Sequence, residues 1–195
     1  SGWLILVFGR EYTMVNKAEL RGYSEEPFFK TDKDYDQGRI IAWAGDVERQ
    51  AQLFWSLAEA LGERIDYLLK VELDVNEKAS QWRRIFGNIL LSDLKVAIKS
   101  HDELFFHDSG FQICLRKPDS GEYFAYDEHG IFWIYSNDEC FIKILKESGL
   151  SERETQLICD SSHWHIRPNN AEYRLEQFIQ TLIKFSQYNE CEDTG

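Results

Sequence analysis

Proline is scarce in this chain: there are 3 in 195 residues. No Pro/Gly/Ser-rich stretch interrupts the sequence, so no linker divides it, and no low-complexity tract occurs. The 4 cysteines, Cys114, Cys140, Cys159 and Cys191, show no CxxC spacing, which argues against a zinc ribbon. A basic excess is also missing. Lys and Arg number 22 against 34 Asp and Glu, for a formal charge of -12. A general nucleic-acid binder needs a basic face for phosphate, so that class is set aside. Long apolar runs are absent too. Trp3–Phe8 is the most apolar early segment, without a basic region before it and far short of the ~18–20 residues of a membrane span. Gly-rich phosphate loops and the Gly-x-Ser-x-Gly nucleophile turn do not occur either.

What is present is apolar and aromatic material. Hydrophobic residues make up 43% and aromatic residues 14%, which excludes a disordered chain. The expectation is a soluble single domain over 1–195, with buried free thiols and a cytoplasmic location.

Trp3–Phe8 and Arg39–Ala44 read as strands buried on both faces. Asp46 caps a helix whose stripe is Val47, Ala51, Phe54, Ala58 and Leu61, widened by Trp55 and Leu57 and stopped by Gly62. Ile65 to Leu73 alternates as a strand. Trp82, Ile85, Phe86 and Ile89 suggest a helix from about Glu77; over 92–99, Leu94, Val96 and Ile98 alternate like a strand while Leu90, Leu94, Ala97 and Ile98 fit a helix, and with Ser92-Asp93 as a cap the helix is preferred. Gly-ended turns at His107–Gly110, Pro118–Gly121 and Asp127–Gly130 divide a four-strand meander over about 103–136. Its first strand is Glu103–Phe106, and its last, Ile131–Tyr135, is apolar on both faces. Ser136-Asn-Asp-Glu139 and Ser151-Glu-Arg-Glu154 read as capping boxes opening helices. A last helix follows Pro168-Asn169, and residues 189–195 form an acidic frayed tail. The pattern of strand, cap, helix and Gly at 39–62 returns weakly at 131–149. The expected fold is α+β: an antiparallel or mixed sheet of six or seven strands, covered by three or four helices.

Two segments carry the functional candidates. In Tyr23–Asp36 the acids Glu25, Glu26, Asp32, Asp34 and Asp36 interleave with Tyr23, Phe28, Phe29 and Tyr35. Aromatic anchors beside acidic steering charges would suit a basic protein partner, whereas folding of those aromatics onto the core would leave an ordinary solvated loop. His129, on an expected hairpin tip, is a further interface residue. The second segment is His163-Trp164-His165. On an extended backbone the two imidazoles share a face, roughly 6.5–7 Å apart. They would support metal binding or, with Asp160, acid–base chemistry. The bland alternative is a linker with Trp164 in the core. The leading expectation is thus a non-enzymatic binding or regulatory module with a protein partner, no cofactor, no membrane and no nucleic acid. The alternative is a metal-binding or hydrolase-like protein centred on His163 and His165, and an oligomer formed through Ile131–Tyr135 or a sheet edge is a third.

Overall fold

The computed structural model describes residues 13–16, 19–20, 26–32, 38–73, 81–160, 163–165 and 170–191. It is α+β with a mixed sheet. The strands are β1 (Thr13–Asn16), β2 (Glu19–Leu20), β3 (Phe28–Asp32), β4 (Arg39–Trp43), β5 (Arg64–Leu73), β6 (Gln81–Leu90), β7 (Phe111–Arg116), β8 (Tyr123–Tyr126), β9 (Ile131–Tyr135), β10 (Ser151–Glu152), β11 (His163–His165) and β12 (Gln187–Cys191). The helices are α1 (Val47–Leu61), α2 (Leu91–Lys99), α3 (Asp102–Phe105), α4 (Glu139–Glu147) and α5 (Ala171–Phe185).

Nine strands form the main sheet in the order β10-β3-β4-β9-β8-β7-β5-β6-β12, parallel only at β10–β3. A separate three-stranded sheet runs β11-β1-β2. The helices cover one face of the main sheet. Inward residues alternate along the strands, as in Phe111, Ile113 and Leu115 of β7 and Phe124 and Tyr126 of β8. They meet Leu53, Phe54, Leu57 and Leu61 of α1 and Leu175, Phe178 and Leu182 of α5 in one continuous core. Phe54 lies at its centre, with ring contacts to Phe105, Phe106, Phe124 and Tyr126 at 5.1–6.0 Å.

A polar bolt ties α1 to the sheet. Tyr126, fully buried, donates its hydroxyl to Gln50 Oε1 at 2.6 Å, and Gln50 Nε2 donates to the Gly45 carbonyl at 2.7 Å. Burial pushes the Tyr126 hydroxyl well above its ordinary pKa, so it stays protonated and donating. Tyr126→Phe should therefore cost about 1–2 kcal/mol, read as a fall in urea midpoint with an unchanged slope. An unchanged midpoint would remove the bolt from the account.

Several sequence expectations need correction. Among the described residues the main sheet has nine strands and there are five α-helices, more than expected on both counts. Glu103–Phe106 is not a strand: Asp102–Phe105 is a single helical turn, and Leu104, Phe105 and Phe106 are all buried. The place beside β7 is taken by β5, so the meander keeps only β7, β8 and β9. The helix expected from Glu77 is instead strand β6. Ile85 and Ile89 are four residues apart, a spacing that lies on one face of a helix or a strand alike, and the ten-residue edge of β5 decides between them.

The second capping box opens no helix. Ser151 and Arg153 instead donate their backbone amides to Pro27 and Phe29, making β10, and only a 3-10 turn, Ile158–Asp160, follows. The first box is displaced: Asp138 caps α4 by accepting from the Cys140 amide, while Ser136 accepts from the Asp138 amide. The expected frayed tail begins as strand β12, paired to β6. Trp3–Phe8 lies outside the described residues. Helix α1, strand β5 and the α5 stripe fall where periodicity puts them, β4 falls on the apolar run at Arg39–Ala44, and α2 takes the helical one of the two periods its sequence allows.

Candidate functional site

The acidic–aromatic segment divides. Phe28 and Phe29 are both 0% exposed. Phe29 faces the helix-side core, and Phe28 packs with Ile41, Trp43, Ile131, Leu157 and Ile158 on the opposite side. Neither side chain is available to a partner: strand β3 is covered on both faces, so both aromatics became core. Asp32 accepts from Arg39 Nε at 3.0 Å across the β3–β4 pair, so its charge is spent internally. Glu26 is exposed. Tyr23, Glu25, Asp34, Tyr35 and Asp36 lie outside the described residues.

The His163-Trp164-His165 backbone is extended, pairing in parallel with β1 at Thr13, Met14 and Val15. The side chains of His163 and His165 lie outside the described residues. Asp160 is exposed and accepts from the Leu157 amide at 3.2 Å, which closes the 3-10 turn.

His129 is not a solvated tip residue: it is 6% exposed. Asp127 folds the β8–β9 turn over itself. Its Oδ1 accepts from the His129 and Ile131 amides, each at 2.9 Å, and its Oδ2 accepts from Trp133 Nε1 at 2.8 Å. His129 Nδ1 lies 3.4 Å from the same oxygen. This is a side-chain mimic of a backbone turn, extended to hold an indole. The ligand-capable atoms of Asp127, Glu128 and His129 fall within 4.8 Å of one another, yet they do not make a free donor set for a metal. Three donors already occupy the Asp127 oxygens, and Glu128 accepts from Gln112 Nε2.

The sheet face opposite the helices is the first of two concave surfaces. A polar row crosses it, one residue per strand: Asp32, Arg39, Tyr135, Tyr123, Arg116, Asp66 and Asn88. Tyr123 and Tyr135 stack at 4.3 Å with planes 15° apart. Arg39 sits 5.4 Å above the Trp133 ring, and its pKa is raised, chiefly by the hydrogen bond with Asp32. Burial alone would raise the Asp66 carboxyl, but hydrogen bonds from Asn88 and Arg116 outweigh it and hold the carboxyl below its usual value. The next row is more apolar and floors a pocket of about 500 Å³. Two thiols line that pocket. Burial pushes Cys114 up to about 11, and burial with the Asp160 charge does the same for Cys159. Both are protonated at neutral pH, which is the wrong state for a nucleophile or metal ligand.

The second surface is a groove of about 620 Å³ on the helix side, between α1 and the α2–α3 corner. Its floor is Val47, Ala51, Trp55, Ile98 and Phe106. Its rim carries Glu48, Glu59, Asp102 and Glu103 against Lys95 and Lys99. Lys95 is engaged already, 2.6 Å from Glu59 and 5.8 Å from the Trp55 ring centre. Helix periodicity places Trp55 beside the buried stripe, and Glu48, Trp55 and Glu59 are spaced seven and four apart along one flank of α1. The missing half came from α3, which the sequence reads as a strand.

Among the described residues no helix is long and apolar enough to cross a membrane. Compared with protein-family models, with curated proteins and with solved structures, the chain matches none.

Proposed function

We propose that this protein is a non-enzymatic binding or regulatory module of the cytoplasm. It engages a basic protein partner through the α1–α2–α3 groove. The observation that carries this reading is the groove's composition: an apolar and aromatic floor under a rim with four carboxylates and two ammonium groups. Apolar floors supply the affinity of an interface and charged rims supply steering and partner choice. The chain's formal charge of -12 adds long-range attraction for a cationic partner. Its shape suits an amphipathic helix that lays apolar side chains along Trp55 and Phe106 and points Lys or Arg at Glu48 and Asp102.

The reading keeps an acidic–aromatic docking mode but moves it from Tyr23–Asp36 to α1 and α3, because Phe28 and Phe29 are core. A protein partner, with no nucleic acid, remains the proposal on charge.

The test is affinity capture from the native source with the parent chain and with a Glu48→Lys/Asp102→Lys variant, followed by titration calorimetry on the retained protein. Glu48 and Asp102 are exposed, so the substitutions leave the core untouched, and thermal unfolding of the variant checks that it folds. A basic protein held by the parent should lose about tenfold or more in affinity, with a steep salt dependence in the parent. Equal retention of the same proteins by both chains would overturn the groove as the docking surface.

A further inference from the structure

The open sheet face owes its pocket to the alternation of β8. Residues that share one face of a strand stand roughly 6.5–7 Å apart. On this face β8 and the turn after it present Tyr123, Ala125 and Asp127 in that order. Ala125 is in register with Trp133 of β9 and Cys114 of β7, both larger, so a notch opens over its short side chain. Tyr123, stacked on Tyr135 at 4.3 Å, closes one end of the notch, and the Asp127–Glu128 turn closes the other. Trp133 forms a shelf along the side, held by its Nε1 hydrogen bond to Asp127 and by Arg39 5.4 Å from its ring centre. Walls fixed in advance lose little freedom when a ligand packs on them. At about 500 Å³ the pocket falls in the size range of small-molecule sites.

Charge is distributed unevenly along the notch. The turn end holds the Asp127 and Glu128 carboxylates. Beside the His129 ring, whose Nδ1 lies 3.4 Å from Asp127, their donors are two backbone amides, the Trp133 indole and the Gln112 side-chain amide. Those four donors are neutral and cancel none of the negative charge. Glu128 also has room for a further donor. Its Oε2 accepts from Gln112, while its Oε1 lies 3.9 Å from His129 Nδ1, beyond hydrogen-bond distance. Lys70 lines the pocket beyond Gln112, its register partner on β7. The two thiols in the lining register the difference. Lys70 and Arg116 act against burial at Cys114, whereas the charges of Asp160, Asp127 and Glu128 add to burial at Cys159. A cation is therefore drawn to the Cys159 end, and the formal charge of -12 favours its approach.

We propose that this pocket binds a small arylalkylamine, its ring seated over Ala125 between Tyr123 and the Trp133 shelf and its ammonium donating to Glu128. A ring and an ammonium joined by a two-carbon tether match the single strand step from Ala125 to the turn. The charge-assisted hydrogen bond fixes orientation, and the aromatic walls supply contact area.

The experiment is titration calorimetry on the full chain with phenethylamine, its neutral counterpart phenethyl alcohol and ring-free butylamine, on the parent, Glu128→Gln and Ala125→Leu. Thermal unfolding of each variant checks that it folds. The parent should bind phenethylamine saturably at one site, about tenfold or more tighter than either the alcohol or butylamine. Glu128→Gln should bring phenethylamine down to the level of the alcohol and leave the alcohol's affinity in place, because glutamine keeps the size and can still accept from Gln112. Ala125→Leu should weaken both ring-bearing probes about tenfold or more by filling the notch. Absence of saturable phenethylamine binding at millimolar concentration would overturn the proposal. So would butylamine bound as tightly as phenethylamine, the mark of a surface that takes a lysine side chain by charge alone. An unchanged preference in folded Glu128→Gln, or unchanged binding of both ring-bearing probes in folded Ala125→Leu, would do the same.

Discussion

Phe54→Ala should lower the unfolding free energy by about 3–5 kcal/mol, which for a domain of this size is a fall in Tm of roughly 6–20 °C. Phe54 is 0% exposed and its ring packs against those of Trp55, Phe105, Phe106, Phe124 and Tyr126. Truncation removes apolar area and leaves a cavity bounded by rings from α1, α3 and β8. The loss sits at the upper end of the usual range because those neighbours belong to different elements and cannot collapse together. All five contacts are edge-to-face with planes 69–89° apart, and such pairs add about 0.5–1.5 kcal/mol beyond their area. Phe54→Leu should recover a large part of the loss, because it keeps an apolar group in the same space. Chemical denaturation of both variants measures this. A Phe54→Ala loss below about 1 kcal/mol would show that the helix layer does not pack on the sheet at this ring.

Asp127→Ala should cost about 2–4 kcal/mol, although the residue sits in a hairpin turn where substitutions are usually mild. Asp127 is 7% exposed, and its two oxygens satisfy the His129 amide, the Ile131 amide and Trp133 Nε1. Alanine would orphan three donors at once, each with a desolvation cost of about 1–3 kcal/mol, partly relieved by water entering the open pocket. Asp127→Asn should be milder, because its carbonyl can still serve the two amides that meet at Oδ1. The indole would then face the side-chain NH2, donor against donor. The expected order is parent, then Asn, then Ala, in Tm and in hydrogen-exchange protection of the His129 and Ile131 amides. Equal stability of parent and Ala would remove Asp127 as the organiser of the turn and of the Trp133 shelf.

The elements legible in the sequence share a property. In α1, β5 and α5 one periodicity fits and the other does not, and β4 is short and apolar on both faces. Val47, Ala51, Phe54, Ala58 and Leu61 keep to one helical face, and Ile65, Tyr67, Leu69 and Val71 keep to one strand face. Where the two periodicities coincide, the reading went wrong. Ile85 and Ile89 fit both, and a strand resulted because β5 and β12 were there to pair with β6. Leu104, Phe105 and Phe106 are apolar in succession, as in a doubly buried strand, yet they turn as one helical coil under α1 and α5. With that turn unread, the groove facing Glu48 and Trp55 was unread as well.

The aromatic clusters changed meaning for the same reason. Phe28-Phe29, set among acids, has the composition of a docking surface. A strand with one face in the helix-side core and the other packed with Leu157 and Ile158 makes the pair core. The open face shows the reverse. Tyr123 and Tyr135 look like ordinary strand residues in sequence, and they stack only because register lines them up with Arg39, Arg116 and Asp66 across neighbouring strands, with Trp133 in the next row beside Ile41 and Ala125.

By itself the sequence determined the class of the molecule. Its apolar content demands a core, its charge balance disfavours polyanions, and its turn glycines and periodicities mark most of the elements. Those are local or summed properties, carried by the chain before it folds. Tertiary structure alone decided which apolar residues became surface and which polar side chains were paired inside, as Tyr126 is with Gln50. Such outcomes depend on partners distant in sequence, as Gln50 of α1 and Tyr126 of β8 are, and no local pattern encodes them.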